Sequence, residues 1–270
     1  MSLVPVETAL AQILDGVVPL NEERVPLAEA NMRTLAGDIE ARRTQPPFDA
    51  SAMDGYAVRA ADLADAAENP VTLKVSGEVP AGHLYEGEVK AGEAVRIFTG
   101  APVPKGADAI LIQENVEATD GMITTSDPVP AGKFIRKRGL DFNEGDTLVT
   151  RGTLLSSRHL ALAASMNYPE LQVVRKPRVG ILATGDELVP VGGEPGPGQI
   201  IASNNVGLAA YLSSLGAYPV DLGIARDNEE SLDMAMQNAT SPSLDILVTI
   251  GGASVGDHDL VLPALDKAGR

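Results

Sequence analysis

The sequence predicts an α/β multidomain protein. An open, mostly parallel α/β sheet, incomplete as it stands, occupies the last third; a β-rich domain and an α+β N-terminal and linker region precede it. Three observations predict this. From Arg178 onward, short β-branched runs alternate with segments of helical period over short connections, the pattern of a parallel open sheet. Between Val71 and Leu148 the chain is short β-rich runs broken by Pro- and Gly-containing turns. Finally, the apolar run Ile246–Ile250 breaks into Gly251-Gly252-Ala253-Ser254-Val255-Gly256 before a helical pattern. The expected domains are 1–45 with 146–177, then 46–145, then 178–270.

In chain order, Val6, Ala9, Leu10, Ile13 and Leu14 have helical spacing, and Gly16 follows as a stop. A second helix is expected from Pro26, a favoured first-turn residue, through Leu35. Residues 37–58 read as an ordered loop, because Phe48, Met53 and Tyr56 are costly to leave in water. Strands are expected in the runs VTLKVSG, AVRIFTG, AILIQENV and MITTS. The basic triplet Arg136-Lys137-Arg138 reads either as a solvated strand edge or as an anion contact. Residues 153–166 are expected to be helical, with Ser156 or Ser157 as a cap. The last third reads as strand (VGILATG), helix (Asn205–Leu215, ended by Gly216), strand (PVDLGIA), helix (Asn228–Ala239), strand (DILVTIGG) and a helix from Leu260.

Composition narrows the functions. The 44% hydrophobic and 21% charged content is that of an ordinary soluble protein. A formal net charge of −16 argues against nucleic acid and anionic membrane surfaces as partners. No signal peptide is read at the N-terminus and no run approaches the roughly 18–20 apolar residues of a membrane span. The sequence contains no cysteine, which removes disulfides, thiolate metal sites and cysteine nucleophiles and suits a cytoplasmic protein. His83, His159 and His258 are scattered and read as surface or loop residues.

Ligands of open parallel sheets bind at the carboxyl ends of the strands. That places Thr184-Gly185-Asp186-Glu187, Arg226-Asp227 and Gly251 to Asp259 on one edge. Glycines admit a phosphate to the backbone, and the N–H groups of a helix N-terminus point at it. Each acid alone reads as a helix cap. Five of them (Asp186, Glu187, Asp227, Asp257 and Asp259) beside a glycine-rich cradle point to a Mg2+-dependent phosphate site.

Six stretches carry a resemblance: PPFDASAMDGYAV (46–58), FTGAPVPKGADAI (98–110), RGLDF (138–142), LATGDEL (182–188), LGIARD (222–227) and TIGGASVGDHD (249–259). In this order they resemble the molybdopterin molybdenumtransferase (MoeA) family, which includes the E domain of gephyrin. The resemblance implies a MogA-like α/β domain and an enzyme that inserts molybdate into adenylylated molybdopterin with Mg2+, releasing AMP. It implies an elongated homodimer in which the β domain of one subunit faces the α/β domain of the other. Carried over by motif, Gly251, Gly252, Ser254 and Gly256 would cradle the phosphate. Gly185, Ser203 and Asn204 join this ligand-binding set, with Asp186 and Asp259 as metal ligands. Glu187, Asp227 and Asp259 would act from the α/β domain, and Asp54, Thr99 and Asp141 from the partner's β domain. A molybdopterin adenylyltransferase is a further expected partner. The family's Lys-Pro-Gly-Lys-Pro segment and C-terminal β-barrel domain do not occur in these 270 residues, and both chain ends read as artificial. Weak ligand binding by this polypeptide is expected.

Two other readings stay open. An adenylyltransferase or a CinA-like nucleotide enzyme shares the TGDEL and Gly-Gly turns but has no counterpart to residues 46–58. A gephyrin-like dimeric scaffold is the non-enzymatic reading.

Overall fold

A computed structural model describes residues 4–239, 243–251 and 260–268. The chain divides into two compact units. The first gathers Met1–Gly37, Arg151–Ser157 and Glu170–Arg270, and the second gathers Asp38–Thr150 with Arg158–Pro169.

In chain order the principal elements are α1 (Val6–Leu14), β1 (Glu22–Pro26), β2 (Gly55–Val58), β3 (Val71–Val79), β4 (Glu93–Ile97) and β5 (Ala109–Ile112). There follow β6 (Glu117–Thr119), β7 (Met122–Thr125), α2 (Ser157–Ser165), β8 (Glu170–Val174) and β9 (Arg178–Thr184). The chain continues with α3 (Asn204–Ser214), β10 (Tyr218–Ala225), α4 (Glu229–Ala239), β11 (Ile246–Ile250) and α5 (Val261–Ala268).

The second unit is built on a six-stranded mixed sheet of order β5-β2-β4-β3-β7-β6. The alternation of side chains along β2 serves two cores. Tyr56 and Val58 enter a cluster with Leu63, Leu73, Leu111 and Ile123, whereas Ala57 enters one with Val79, Val95, Ile97 and Ile110. Residues 55–58 were expected within a loop; they are an interior strand whose four residues are all buried. Gly55 permits this, because a Cβ there would collide with the carbonyl of Leu111 on β5.

In the first unit β1 pairs antiparallel with β8. This replaces the helix expected over Pro26–Leu35: Pro26 ends the strand, and only a 3-10 turn, Leu27–Glu29, follows. Met32 then takes φ 58°, which no helix continues. Arg33 is buried and donates to the Val174 carbonyl at 2.9 Å and to Glu23, fastening the segment to β8. The α/β sheet has order β10-β9-β11 and both pairings are parallel. Helices α4 and α5 cover it through Leu232, Met236, Val261 and Ala264, packed with Leu182 and Ala225. The expected strand–helix alternation of this region is observed. Among the described residues no helix is long and apolar enough to cross a membrane.

The start of this sheet is fixed by one carboxylate. Asp245 accepts both Arg175 Nη atoms at 2.8 Å and the Arg178 N–H at 2.7 Å, while its own N–H donates to the Arg178 carbonyl. Its side chain is 19% exposed, and these bonds, those of Arg175 first, hold its carboxyl at about 2. The folded pKa lies below the unfolded one, so the stabilisation is complete above roughly pH 4 and is lost as pH falls toward 2. Asp245→Asn should lower Tm at pH 7 by about 3–6 °C, from the usual worth of charged hydrogen bonds. Melts from pH 7 to pH 2 should show the difference from wild type shrinking below pH 4. An undiminished difference at pH 2 would refute this account of Asp245.

Candidate functional site

Parallel register places the ends of the three strands side by side. Thr184 pairs with Ala225, and Ala183 with Ile250, so the turns at Gly185, Arg226 and Gly251 leave the sheet along one edge. The Gly185 N–H donates to the Ala225 carbonyl at 3.1 Å. Gly251, at φ 100°, lies so close to β9 that a Cβ would sit 2.5 Å from the Thr184 carbonyl and 2.8 Å from its Oγ1. No residue with a side chain fits there without moving backbone. The Thr184 hydroxyl is buried and has no hydrogen-bond partner among the described residues.

Beyond the strand ends, two acidic turns hold each other. The Asp186 N–H donates to Asp227 Oδ2 and the Asp227 N–H donates to Asp186 Oδ1, each at 3.3 Å. The Arg226 guanidinium closes the arrangement by donating to the carbonyls of Asp186 at 2.8 Å and Leu188 at 3.4 Å. Each carboxylate spends one oxygen on a backbone N–H, and both residues remain exposed. Glu187 folds its carboxylate against Gly185, where a Cβ would collide with it. Residues 188–189 pair with 200–201, and this ribbon delivers Ser203 and Asn204, both exposed, to the start of α3. The Ser203 side chain makes no cap hydrogen bond there.

Asp54, Thr99 and Asp141 belong to the second unit. Asp54 Oδ1 accepts the Thr99 N–H at 2.7 Å and the Thr99 hydroxyl at 2.8 Å. These bonds, the backbone one first and then the hydroxyl, hold the Asp54 carboxyl below its ordinary range, with the nearby Arg96 charge adding to them. Arg96 lies over the rings of Tyr56 and Phe98, 5.0 and 5.1 Å from their centroids. The stretch 45–54 runs between the other two motif stretches of this unit. On one side the Gly100 N–H donates to the Ser51 carbonyl and the Val103 N–H to the Asp49 carbonyl. On the other, the Gly139 N–H donates to Pro46 and the Asp141 N–H to Gln45. Asp141 is exposed at this ladder's end.

The structure therefore brings Gly185, Asp186, Glu187, Asp227 and Gly251 together on the sheet edge, and Asp54 with Thr99 in the second unit. Gly252, Ser254, Gly256, Asp257 and Asp259 lie outside the described residues. Among the described residues no group of three or more acids or histidines converges as a metal site. Thr184 and Arg226 were expected on this edge but were given no role in the site. The basic triplet has an internal use: Lys137 and the Arg138 N–H both contact the Asp49 carboxylate.

The geometry of Asp54 gives a testable outcome. Thr99→Ala removes the hydroxyl bond and leaves the backbone one, so the Asp54 pKa should rise toward, but not reach, an ordinary carboxylate value. Carboxyl 13C titration of the two proteins reads this directly; identical titration curves would contradict it.

Residues 4–167 match the family described as "MoeA N-terminal region (domain I and II)", and residues 180–270 match "Probable molybdopterin binding domain". Two curated relatives named molybdopterin molybdenumtransferase, from Nostoc sp. and Haemophilus influenzae, are 37% and 38% identical over 96% and 99% of this chain. The chain spans 61% and 66% of their respective lengths, less than two thirds. A crystal structure of the molybdopterin biosynthesis moeA protein from Pyrococcus horikoshii OT3 superposes with TM-score 0.85 at 35% identity, over 93% of this chain and 67% of that one. A crystal structure of a molybdopterin biosynthesis moea protein from Pyrococcus horikosii gives TM-score 0.81 at 36% identity, over 98% of this chain and 67% of that one. With matching motifs, a matching fold and a family match over residues 4–167, the chain belongs to the MoeA family.

Proposed function

We propose that the full-length protein inserts molybdate into adenylylated molybdopterin, releasing AMP, in molybdenum cofactor biosynthesis. The observation that carries this reading is the edge where the Asp186 and Asp227 turns interlock beside the Gly251 crossing, within the stretch that matches a molybdopterin-binding domain.

Mg2+ suits this edge. It usually binds one or two carboxylates, completing its shell with water and substrate phosphate. Asp186 and Asp227 each keep one oxygen beyond their backbone bonds, which is such a donor set. In this reading these two would hold the ion, with Asp259 joining them. When bound, Mg2+ supplies charge neutralisation of the phosphate linkage. Gly185 and Gly251, which fix the two strand-end turns, are proposed to border the phosphate; Ser203 and Asn204 offer exposed polar groups, and Glu187 lies against Gly185. Gly252, Ser254 and Gly256 are proposed to complete the cradle. Arg226 keeps the Asp186 turn in place through two carbonyls. Most of the rate advantage is assigned to positioning and to preorganised charge.

The functional unit is proposed to be a homodimer, with Asp54, Thr99 and Asp141 of one subunit facing the α/β edge of the other. The first helix supports a dimer. It presents Val6, Leu10, Ile13 and Leu14 on one face and buries none of its residues. A nine-residue helix is marginal unless such a stripe is covered. A molybdopterin adenylyltransferase is the proposed supplier of the substrate, and the cytoplasm the proposed location.

The test is AMP release from adenylylated molybdopterin with Mg2+, with and without molybdate, by the full-length protein. Molybdate-dependent release is expected, and Asp227→Asn should lower it by about 10²-fold. AMP transfer from ATP to molybdopterin without molybdate would replace this reading with an adenylyltransferase. An intact dimer with neither activity would leave the scaffold.

A further inference from the structure

The ladder between residues 45–51 and 135–142 has a gap that a side chain fills. Ile135 and Arg136 pair with Ser51 and Ala50, and farther along Gly139 and Asp141 donate to Pro46 and Gln45. Between these rungs Pro47 has no N–H to give, and the Arg138 N–H meets a side chain instead of a backbone carbonyl. The Asp49 carboxylate takes over the missing rung: Oδ1 accepts the Arg138 N–H and Oδ2 accepts Lys137 Nζ, each at 2.8 Å. The Arg138 side chain adds an Nε bond to the Pro47 carbonyl at 3.2 Å. Meanwhile the Asp49 carbonyl accepts the Val103 N–H at 2.9 Å from the third motif stretch. One residue thus joins all three motif stretches of the second unit.

We infer that Asp49 is a positioning residue that sets Asp141 for the reaction proposed above, on which this inference rests. The geometry separates its two contacts. The Lys137 pair is exposed, with side chains 63% and 39% accessible, and exposed pairs contribute little. The Arg138 bond is a charge-assisted bond to backbone three residues before Asp141. Both contacts hold the Asp49 carboxyl below its ordinary range, so the acceptor stays ionised through neutral pH. Losing the carboxylate leaves the Arg138 N–H without its acceptor and loosens the 137–142 turn, so that Asp141 shifts about its remaining bond to Gln45, while Asp54 keeps its own bonds to Thr99.

The test compares Asp49→Asn and Asp49→Ala in the full-length protein. Asn keeps an oxygen for the Arg138 N–H and loses only the charge pairing; Ala loses both. AMP release should keep its KM for adenylylated molybdopterin in both variants. Its kcat should fall only a few-fold in Asp49→Asn and about 10²-fold in Asp49→Ala, the scale of a displaced catalytic group. Hydrogen exchange should accelerate at Arg138–Phe142 in Asp49→Ala and stay unchanged in β2 and β4. Faster exchange with an unchanged kcat would make Asp49 a structural clamp only and overturn the inference. Unchanged exchange, or equal kcat losses in the two variants, would overturn it as well. No AMP release by wild type would strike the proposed reaction itself, which these outcomes keep separate from the role of Asp49.

Discussion

The candidate site depends first on the register of β9. Paired in parallel on both sides, this strand fixes which turns emerge together, and everything on the edge follows from that alignment. Thr184 opposite Ala225 sets Gly185 against β10, and Ala183 opposite Ile250 delivers Gly251 onto Thr184. Side-chain period is two in a strand, so a slip of one residue would exchange the two buried faces of β9. It would also separate Asp186 from Asp227. The core packing of Leu182 therefore protects the chemistry, although it touches none of it.

The second unit reaches a comparable precision by other means. Its motif residues come from three stretches that are far apart in sequence, and short ladders rather than long strands join them. Gly55 lets β2 lie against β5, which places Asp54 within reach of Thr99. The Thr99 hydroxyl and N–H both serve one oxygen of Asp54, so the other is left for other partners. In both units a carboxylate is oriented by backbone N–H groups. Such bonds cost little side-chain entropy.

Much of the α/β unit was legible in the sequence because its signals are local. The β-branched run at 246–250, the Gly216 stop after α3 and the alternation from Arg178 each lie within a single element. What escaped depended on distant partners. The 26–35 segment has a helical start signal, but its Arg33 answers to Val174, 141 residues away. Gly55–Val58 is too short to announce a strand and is made one by β4 and β5 on either side. The acids at 186 and 227 were expected on one edge from strand direction alone. Their reciprocal bonds, and the part played by Arg226, needed coordinates.

The edge formed by β9, β10 and β11 is where ligand is proposed to meet this chain. The most direct measurement is backbone NMR of the chain titrated with adenylylated molybdopterin and Mg2+. Shifts should concentrate at Gly185, Asp186, Asp227 and Gly251, with the Asp245 end of the sheet unmoved. Shifts confined to other surfaces, with those four amides still, would contradict that placement.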